Sequence, residues 1–362
     1  MKDLASGAQS GKEGGANRAV VEIVEVGEGG AGQRLDNFLL RYLKGAPKSL
    51  IYRIIRAGEV RVNKGRADAS TKLVATDIVR VPPVRLAPKP AASAAPAGVA
   101  RAGSDLDILF EDDALLAINK PSGLAVHGGS GVRFGVIEAL RAARPEAKFL
   151  ELVHRIDRDT SGVLLLAKKR AALVAMHELL REGRTDKRYL TLVAGRWPHD
   201  AKHHIKTALA KYVTSEGERR VAESDDDNEY SKDAHTVVSV IKRFGSVTNC
   251  TTGRSAGSTM SRDTDATMPV AQATLLEAQI KTGRTHQIRV HLSGAGYPIL
   301  GDDKYGDFGL NKIEAKRGLK RMFLHAAKIS FIHPLTQSRL RIEAPLPPDC
   351  ERYLARIASE SK

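Results

Sequence analysis

The first quarter of the chain carries apolar residues at helical spacing. RLDNFLLRYL, starting at residue 34, and SLIYRIIRAG, starting at residue 49, each place an apolar stripe on one face. Gly58 follows the second stripe, where a glycine typically ends a helix. EVRVN and DIVRV come next, and both alternate as strands do. The pattern predicts two helices and small strands between residues 32 and 86.

Short apolar runs and alternating segments predict a sheet in the rest of the chain. Arg170 to Arg181 has the spacing of an amphipathic helix, and a further helix is predicted from His286 to the region of Gly294 to Gly296, with Thr285 as N-cap. The fold class is therefore α+β. Strands are predicted to begin near residues 106, 115, 163, 187, 235, 273 and 326.

Composition divides the chain into segments. The stretch 84–103 is rich in Pro and Ala and lacks periodicity, which is typical of a linker. Residues 245–268 are rich in Ser, Thr and Gly, which favours a disordered insertion. The predicted organisation is a disordered segment at 1–31, a basic domain at 32–86, a linker at 87–104, a larger domain at 105–350 and a C-terminal tail at 351–362.

The charge of the chain is concentrated near its start. The 362 residues carry a formal net charge of +15, and the interval from Gly32 to Leu86 alone holds 12 Lys or Arg against 4 Asp or Glu. Such a concentration favours binding to phosphates of a nucleic acid. The residues expected to bind RNA are Lys48, Arg53, Arg56, Arg61 and Lys64.

Several classes of protein fit the sequence poorly. The chain has no apolar run near the ~18 residues of a membrane helix and no signal peptide at Met1. Its two cysteines, Cys250 and Cys350, provide neither zinc spacing nor a disulfide framework. We therefore expect a cytoplasmic monomer with free thiols, no bound metal and no association with membranes.

The stretch LVHRIDRDTSGVLLLAKK, residues 152–169, is the strongest candidate for chemistry. It joins a charged loop to the apolar run 163–167, which has the length of a buried strand. A solvated, salt-bridged turn is the simplest interpretation. A serine nucleophile is disfavoured because Ser161 lacks the G-x-S-x-G context, and a metal at His154 and Asp157 is opposed by neighbouring arginines. An aspartate acting on a sugar centre agrees best with these residue types.

The loop closely resembles the signature of the RluA-type pseudouridine synthases, H-R-[LI]-D-x-x-T-S-G-[LV]. KPSGLAVH from residue 120, KRYLTLV from residue 187 and TGRTHQIRVH from residue 282 resemble further motifs of this family in the same order. The basic segment 32–86 is similar to an S4 RNA-binding domain. The likeness covers residue 32 to about residue 346, apart from the linker and the insertion.

The resemblance implies an S4 domain followed by a pseudouridine synthase domain with a mixed, mostly antiparallel sheet flanked by helices. It implies an enzyme that isomerises uridine in RNA without a cofactor or a metal. The segment around GGSGVRFGVIEALR is similar to the branch that acts on several sites of 23S ribosomal RNA. A single-site ribosomal enzyme or an enzyme acting on transfer RNA is the alternative substrate assignment.

The resemblance also assigns residue roles. Asp157 matches the catalytic aspartate, and Arg155 lies beside it as active-site support. Tyr189 is expected to stack on the flipped uracil, and Leu324 to form an apolar wall of the pocket. Arg284 is expected to pair with Asp157 and keep its carboxylate ionised.

Two other classes compete with this assignment. A non-catalytic RNA-binding factor needs only the basic segment, and does not require Asp157, Tyr189 and Arg284 in three separate motifs. A nucleoside or glycoside hydrolase would use a pair of carboxylates, for which Asp157 and Asp159 are available. Release of free uracil from RNA would indicate the hydrolase.

Overall fold

The computed structural model describes residues 20–27, 30–43, 45–84, 97–128, 134–215, 217–224, 231–245 and 272–361. The chain divides into two compact units, Met1–Gly98 and Val99–Lys362. Each unit has its own hydrophobic core. We describe the two units separately.

The first unit is a small α+β domain. Its four-stranded sheet has the order β1-β4-β2-β3, and its core includes Leu35, Leu39, Ile51 and Ile54. The two predicted helices are confirmed. The elements are β1 (Glu22–Glu25), α1 (Leu35–Tyr42), α2 (Lys48–Arg56), β2 (Arg61–Val62), β3 (Gly65–Arg66) and β4 (Ile78–Val81).

The second unit contains the remaining elements. These are α3 (Ala97–Ser104, which begins just before the division), β5 (Asp107–Glu111), β6 (Leu115–Lys120), α4 (Val136–Ala143), β7 (Glu151–Leu152), β8 (Ser161–Ala167), α5 (Arg170–Arg181), β9 (Asp186–Ala194), β10 (His203–Ile205), β11 (Ala208–Val213), β12 (Arg219–Ser224), β13 (Thr236–Phe244), β14 (Ala273–Ile280), α6 (Gln287–Gly294), α7 (Phe308–Lys316), β15 (Leu324–Ile332), β16 (Arg339–Glu343) and α8 (Pro348–Glu360).

A ten-stranded sheet forms the centre of the second unit. Its main path is β10-β13-β14-β9-β15-β8-β6-β5, while β7 pairs with β8 and β16 pairs with β15. The pairing of β8 with β15 is parallel, and the other pairings are antiparallel. The predicted mixed, mostly antiparallel sheet is confirmed, and the predicted strand starts agree with the observed ones within two residues.

Both faces of the sheet are covered, which explains the uninterrupted apolar sequence of β8. All seven residues of this strand are buried. Leu164 and Leu166 belong to one core cluster with residues of α4 and α6, while Val163 and Leu165 belong to another with residues of α5. A strand buried on both faces needs apolar residues at every position, so its sequence is continuous rather than alternating.

Two segments depart from the predicted domain organisation. Part of the predicted linker forms α3, whose Gly103 lies so close to α4 that a Cβ there would be 2.2 Å from the carbonyl oxygen of Ala139. The predicted tail is instead part of α8, which buries Cys350, Tyr353 and Ile357 against the sheet. Local composition predicted neither helix, because the contacts that hold α3 and α8 come from residues distant in sequence.

Two other predicted segments lie partly outside the described residues. The segment 1–31 includes β1, which pairs with β4, and its residues 1–19 lie outside the described range. Most of the predicted insertion 245–268 and Cys250 also lie outside it. None of the helices within the described residues is long and apolar enough to cross a membrane.

Candidate active site

The charged loop before β8 enters the sheet at its parallel pair of strands. Gly162 has φ +107°, and a Cβ at this position would lie 2.2 Å from the carbonyl oxygen of Ala326 on β15. Glycine is therefore required here for both conformation and space. The close approach of the two strands places the residues just before β8 at the middle of the sheet.

A buried lysine, Lys120, holds the same loop in place through hydrogen bonds. The ammonium of Lys120 donates to the carbonyl oxygens of Pro121 at 2.8 Å, Leu124 at 2.9 Å and Arg158 at 2.8 Å. Burial lowers the pKa of Lys120 to about 7. The motif KPSGLAVH, which begins with this lysine, gave no indication of its role. Lys120 connects its own loop to Arg158, 38 residues away.

A cleft of about 640 Å³ lies next to the loop, and all five predicted active-site residues line it: Arg155, Asp157, Tyr189, Arg284 and Leu324. Tyr189 and Leu324 are buried, Arg155 is exposed, and the side chain of Asp157 is 26% exposed. Burial, and then the charge of Asp157, raises the pKa of Tyr189. The phenol therefore stays protonated beside the carboxylate at neutral pH.

Arg289 in the first turn of α6 contacts Asp157. Its Nη1 donates to Oδ2 of Asp157 at 3.3 Å, while Nε and Nη2 donate to the carboxylate of Asp302 at 2.7 and 2.6 Å. Burial alone would lower the pKa of Arg289, but the hydrogen bonds to Asp302 and the nearby carboxylates raise it. The guanidinium is thus a fixed cation beside Asp157.

The predicted pairing of Arg284 with Asp157 is wrong for this structure. Arg284 is exposed, and its Nε donates to the carbonyl oxygen of Asp233 at 2.9 Å. Its backbone N–H donates to Gln287 Oε1 at 3.0 Å. Arg284 lies in the loop before α6 and its side chain is directed toward Asp233, whereas Arg289 lies on the face of α6 that reaches the loop. Arg284 still lines the cleft.

His154 does not suit a metal site formed with Asp157. The backbone N–H of Leu165 donates to its Nε2 at 3.1 Å, and burial lowers its pKa to about 3. The ring is therefore neutral, with one nitrogen already engaged as an acceptor. Within the described ranges, no group of three or more His, Cys, Asp or Glu residues is arranged to hold a metal ion.

The basic residues of the first unit are available to a partner. The five residues predicted to bind RNA are all exposed, and none makes an ion pair within the described part of the chain. On α2, the buried side chains Ile51, Ile54 and Ile55 leave the cations on the opposite face. The predicted basic surface is therefore free of competing carboxylates from its own helix.

Comparison with known proteins identifies the class of the protein. A family model described as RNA pseudouridylate synthase matches residues 114–294, and one described as S4 domain matches residues 33–79. The first match includes the loop before β8, strand β9 with Tyr189, and helix α6. The chain belongs to the RNA pseudouridylate synthase family and carries an S4 domain ahead of its synthase domain, so it is an RNA pseudouridine synthase.

Individual relatives make the comparison more specific. Ribosomal large subunit pseudouridine synthase C of Pasteurella multocida (strain Pm70) is 49% identical, covering 94% of this chain and 95% of that protein. The protein of the same name from Escherichia coli (strain K12) is 48% identical, covering 93% and 97%. The structure of human RNA pseudouridylate synthase domain containing 4 aligns with TM-score 0.52 and 24% identity over 72% of this chain and 95% of that chain, which shows the shared fold.

Proposed function

We propose that this protein isomerises several uridines of 23S ribosomal RNA to pseudouridine. Relatives named for the large ribosomal subunit are 48–49% identical to it over more than nine tenths of its length. The similarity therefore extends through the S4 domain and the synthase domain together. This extent supports a shared substrate more strongly than a match limited to the catalytic loop would.

The observation that carries the proposal is the position of Asp157 beside a fixed guanidinium in a cleft lined by Tyr189. An ionised carboxylate can promote cleavage of the C1′–N1 bond in two ways, by attack on C1′ or by removal of the C2′ proton. In both routes the bonding electrons leave with N1 of uracil. The base then rotates and C5 bonds to C1′, which breaks the C1′–O bond to Asp157 in the first route and returns the proton to C2′ in the second. C5 loses its proton and N1 gains one, so the product is an isomer of the substrate.

The cleft also has the walls that a flipped base requires. A uridine within a stacked helix cannot be reached, and extruding it costs a few kcal/mol. The buried ring of Tyr189 would stack on the uracil, a contact worth ~1–3 kcal/mol. Leu324 would form an apolar wall beside it, and the exposed Arg155, which lines the same cleft, would support the site.

The S4 domain would supply affinity for the RNA backbone. Lys48, Arg53 and Arg56 on α2, with Arg61 and Lys64 just after it, form its exposed basic surface. Contacts to phosphates position a protein on RNA without reading its sequence. Selection of particular uridines is therefore assigned to the synthase domain.

A hydrolase with two carboxylates fits the site less well. Asp159 Oδ1 accepts a hydrogen bond from Arg158 Nε at 3.0 Å, and Asp159 does not line the cleft. Glycoside hydrolases place their two carboxylates around one sugar. The geometry therefore supports Asp157 acting as the single carboxylate.

Pseudouridine mapping on 23S ribosomal RNA tests the proposal. Wild type, Asp157→Asn and the control Asp113→Asn, whose carboxylate is 96% exposed, are incubated with the RNA. We expect discrete new pseudouridines with wild type and the control, none with Asp157→Asn, and equal RNA binding by all three. Binding without modification by wild type would reject the substrate, and release of free uracil would indicate hydrolysis.

A further inference from the structure

Tyr305 contacts both groups that face Asp157. Its hydroxyl oxygen lies 2.8 Å from Nδ1 of His286, and its ring centroid lies 5.1 Å from Cζ of Arg289. The rings of Tyr305 and His286 meet edge to face, with centroids 5.6 Å apart. None of the sequence motifs includes Tyr305, which follows Asp302 in the loop before α7.

The hydrogen bonds around Tyr305 assign the protons. The backbone N–H of Val221 on β12 donates to the Tyr305 hydroxyl oxygen at 3.1 Å. Burial raises the pKa of Tyr305, so the phenol keeps its proton. Because its oxygen already accepts from Val221, the Tyr305 O–H is free to donate to Nδ1 of His286, which is the direction that we assign to this contact. Burial lowers the pKa of His286, so its ring is neutral and its own proton is on Nε2.

The backbone of His286 directs this proton toward the carboxylate. His286 is the N-cap of α6 and adopts a left-handed conformation, φ +53° and ψ 22°. This conformation is unfavourable for residues other than glycine, and such strain concentrates at functional sites. It places Nε2 of His286 4.0 Å from Oδ2 of Asp157 in the same cleft.

Both neighbouring groups approach the same oxygen of Asp157. Arg289 donates to Oδ2, and His286 Nε2 faces Oδ2. Within the described part of the chain, Oδ1 accepts no hydrogen bond, which leaves this oxygen to face the ribose. The charged groups that act on His286 are Asp157, Arg289, Lys304 and Asp302.

We propose that His286 is a second positioning residue for Asp157, with Tyr305 setting its tautomer. A shift of about 1 Å from the observed distance of 4.0 Å is enough to bring Nε2–H into hydrogen-bond contact with Oδ2. Arg289 and His286 then hold one carboxylate oxygen and aim the other at the sugar. Val221, through Tyr305, connects this arrangement to the β11–β12 hairpin. Only the kinetic test of this proposal rests on the proposed function.

Two variants of His286 and one of Tyr305 separate positioning from folding. His286→Ala removes the donor, whereas His286→Gln can restore it through its amide N–H. Tyr305→Phe removes the hydroxyl and keeps the ring over Arg289. His177→Gln changes an exposed histidine of α5 and serves as the control. The readouts are the single-turnover rate at saturating RNA, the RNA dissociation constant and the melting temperature.

We expect His286→Ala to slow the single turnover roughly 10-fold or more, the effect of losing a hydrogen bond to a charged group. RNA affinity should stay within about twofold, and His286→Gln should recover most of the rate. Tyr305→Phe should lower the single-turnover rate when His286 is present. It should not lower the rate further when combined with His286→Ala. A wild-type rate in His286→Ala, failure of rescue in a folded His286→Gln, or fully additive effects would each overturn the proposal.

Nitrogen chemical shifts of the imidazoles test the tautomer without RNA. We expect His286 in ¹⁵N-labelled wild type to be neutral with its proton on Nε2, and Tyr305→Phe to shift it toward a mixture of tautomers. A proton on Nδ1 in wild type would overturn the assignment. Because this readout needs no substrate, a wrong RNA assignment would abolish pseudouridine formation in wild type and the His177→Gln control while leaving the NMR result intact.

Discussion

At the scale of single residues, the fixed position of Arg289 distinguishes it from the other cations of the cleft. Its side chain is 3% exposed, and Asp302, which holds it through two hydrogen bonds, is fully buried. Arg155 and Arg284 are exposed. The Arg289 guanidinium is buried and held by two hydrogen bonds to Asp302. It is therefore placed to interact with the Asp157 carboxylate and not with RNA phosphates.

A comparison of two conservative variants tests this distinction. Arg289→Lys should lower the single-turnover rate by roughly 10-fold or more, because a lysine cannot bind Asp302 with two N–H groups and reach Asp157 as well. It should also reduce the free energy of unfolding by about 1–3 kcal/mol. Arg284→Lys is the matched control and should change neither quantity by much. A larger loss of rate in the Arg284 variant would restore the pairing predicted from the motif.

At the scale of elements, the site depends on the approach of β8 to β15. Gly162 pairs with Ala326 across these strands, and Ser161 pairs with His325. Ser161 Oγ lies 2.9 Å from His325 Nδ1, and Arg321 donates to the same hydroxyl at 2.7 Å. This pairing and the hydrogen bonds attach the end of the loop that carries Asp157 to the sheet.

Two glycines with positive φ provide the test of this approach. Gly162→Ala would place a Cβ against the Ala326 carbonyl in addition to the backbone cost, and we expect a loss of unfolding free energy well above ~1–2 kcal/mol. Gly123→Ala, at φ +84° with no atom within 4 Å of its Cβ, should cost only that amount. Urea unfolding measures both. Equal losses would show that conformation alone, and not the strand approach, requires Gly162.

At the scale of the whole molecule, the residues proposed to bind RNA and those proposed to carry out the chemistry belong to different units. The exposed cations of α2 lie in the first unit, and the cleft with Asp157 lies in the second. An RNA-binding domain attached to a catalytic domain raises the concentration of RNA at the site. Losses of binding and losses of catalysis should therefore be separable.

Neutralising the α2 surface tests this separation. The triple variant Lys48→Ala, Arg53→Ala and Arg56→Ala should raise KM and leave kcat at saturating RNA unchanged. The salt dependence of binding should weaken by about 0.7 per lost phosphate contact. Three exposed helical cations of the second unit, Lys312, Lys316 and Arg352, form the matched control. A fall in kcat with unchanged KM would contradict this division of roles.

Much of the molecule could be predicted from the sequence because its signals are local. The continuous apolar run of β8, the apolar stripes of α1 and α2 and the concentration of cations between residues 32 and 86 depend on neighbouring residues only. The motif around Asp157 belongs to one loop, and the family model confirms the class of protein it indicated. Short periods and close spacing therefore indicated the fold class, whereas the family was indicated by the resemblance of the loop motif to its signature.

The tertiary structure decided which distant residues meet. The motif holds two arginines. Contacts with remote residues, including those of Gln287 with His235 and Thr236 and of Arg289 with Asp302, orient α6 so that Arg289 reaches Asp157. The N-cap of α6 is His286 and not the predicted Thr285. Helix α8 packs into the core through apolar residues that composition alone assigned to a tail. Sequence by itself determined the elements and the chemistry they carry, whereas packing between remote segments decided which side chains share the site.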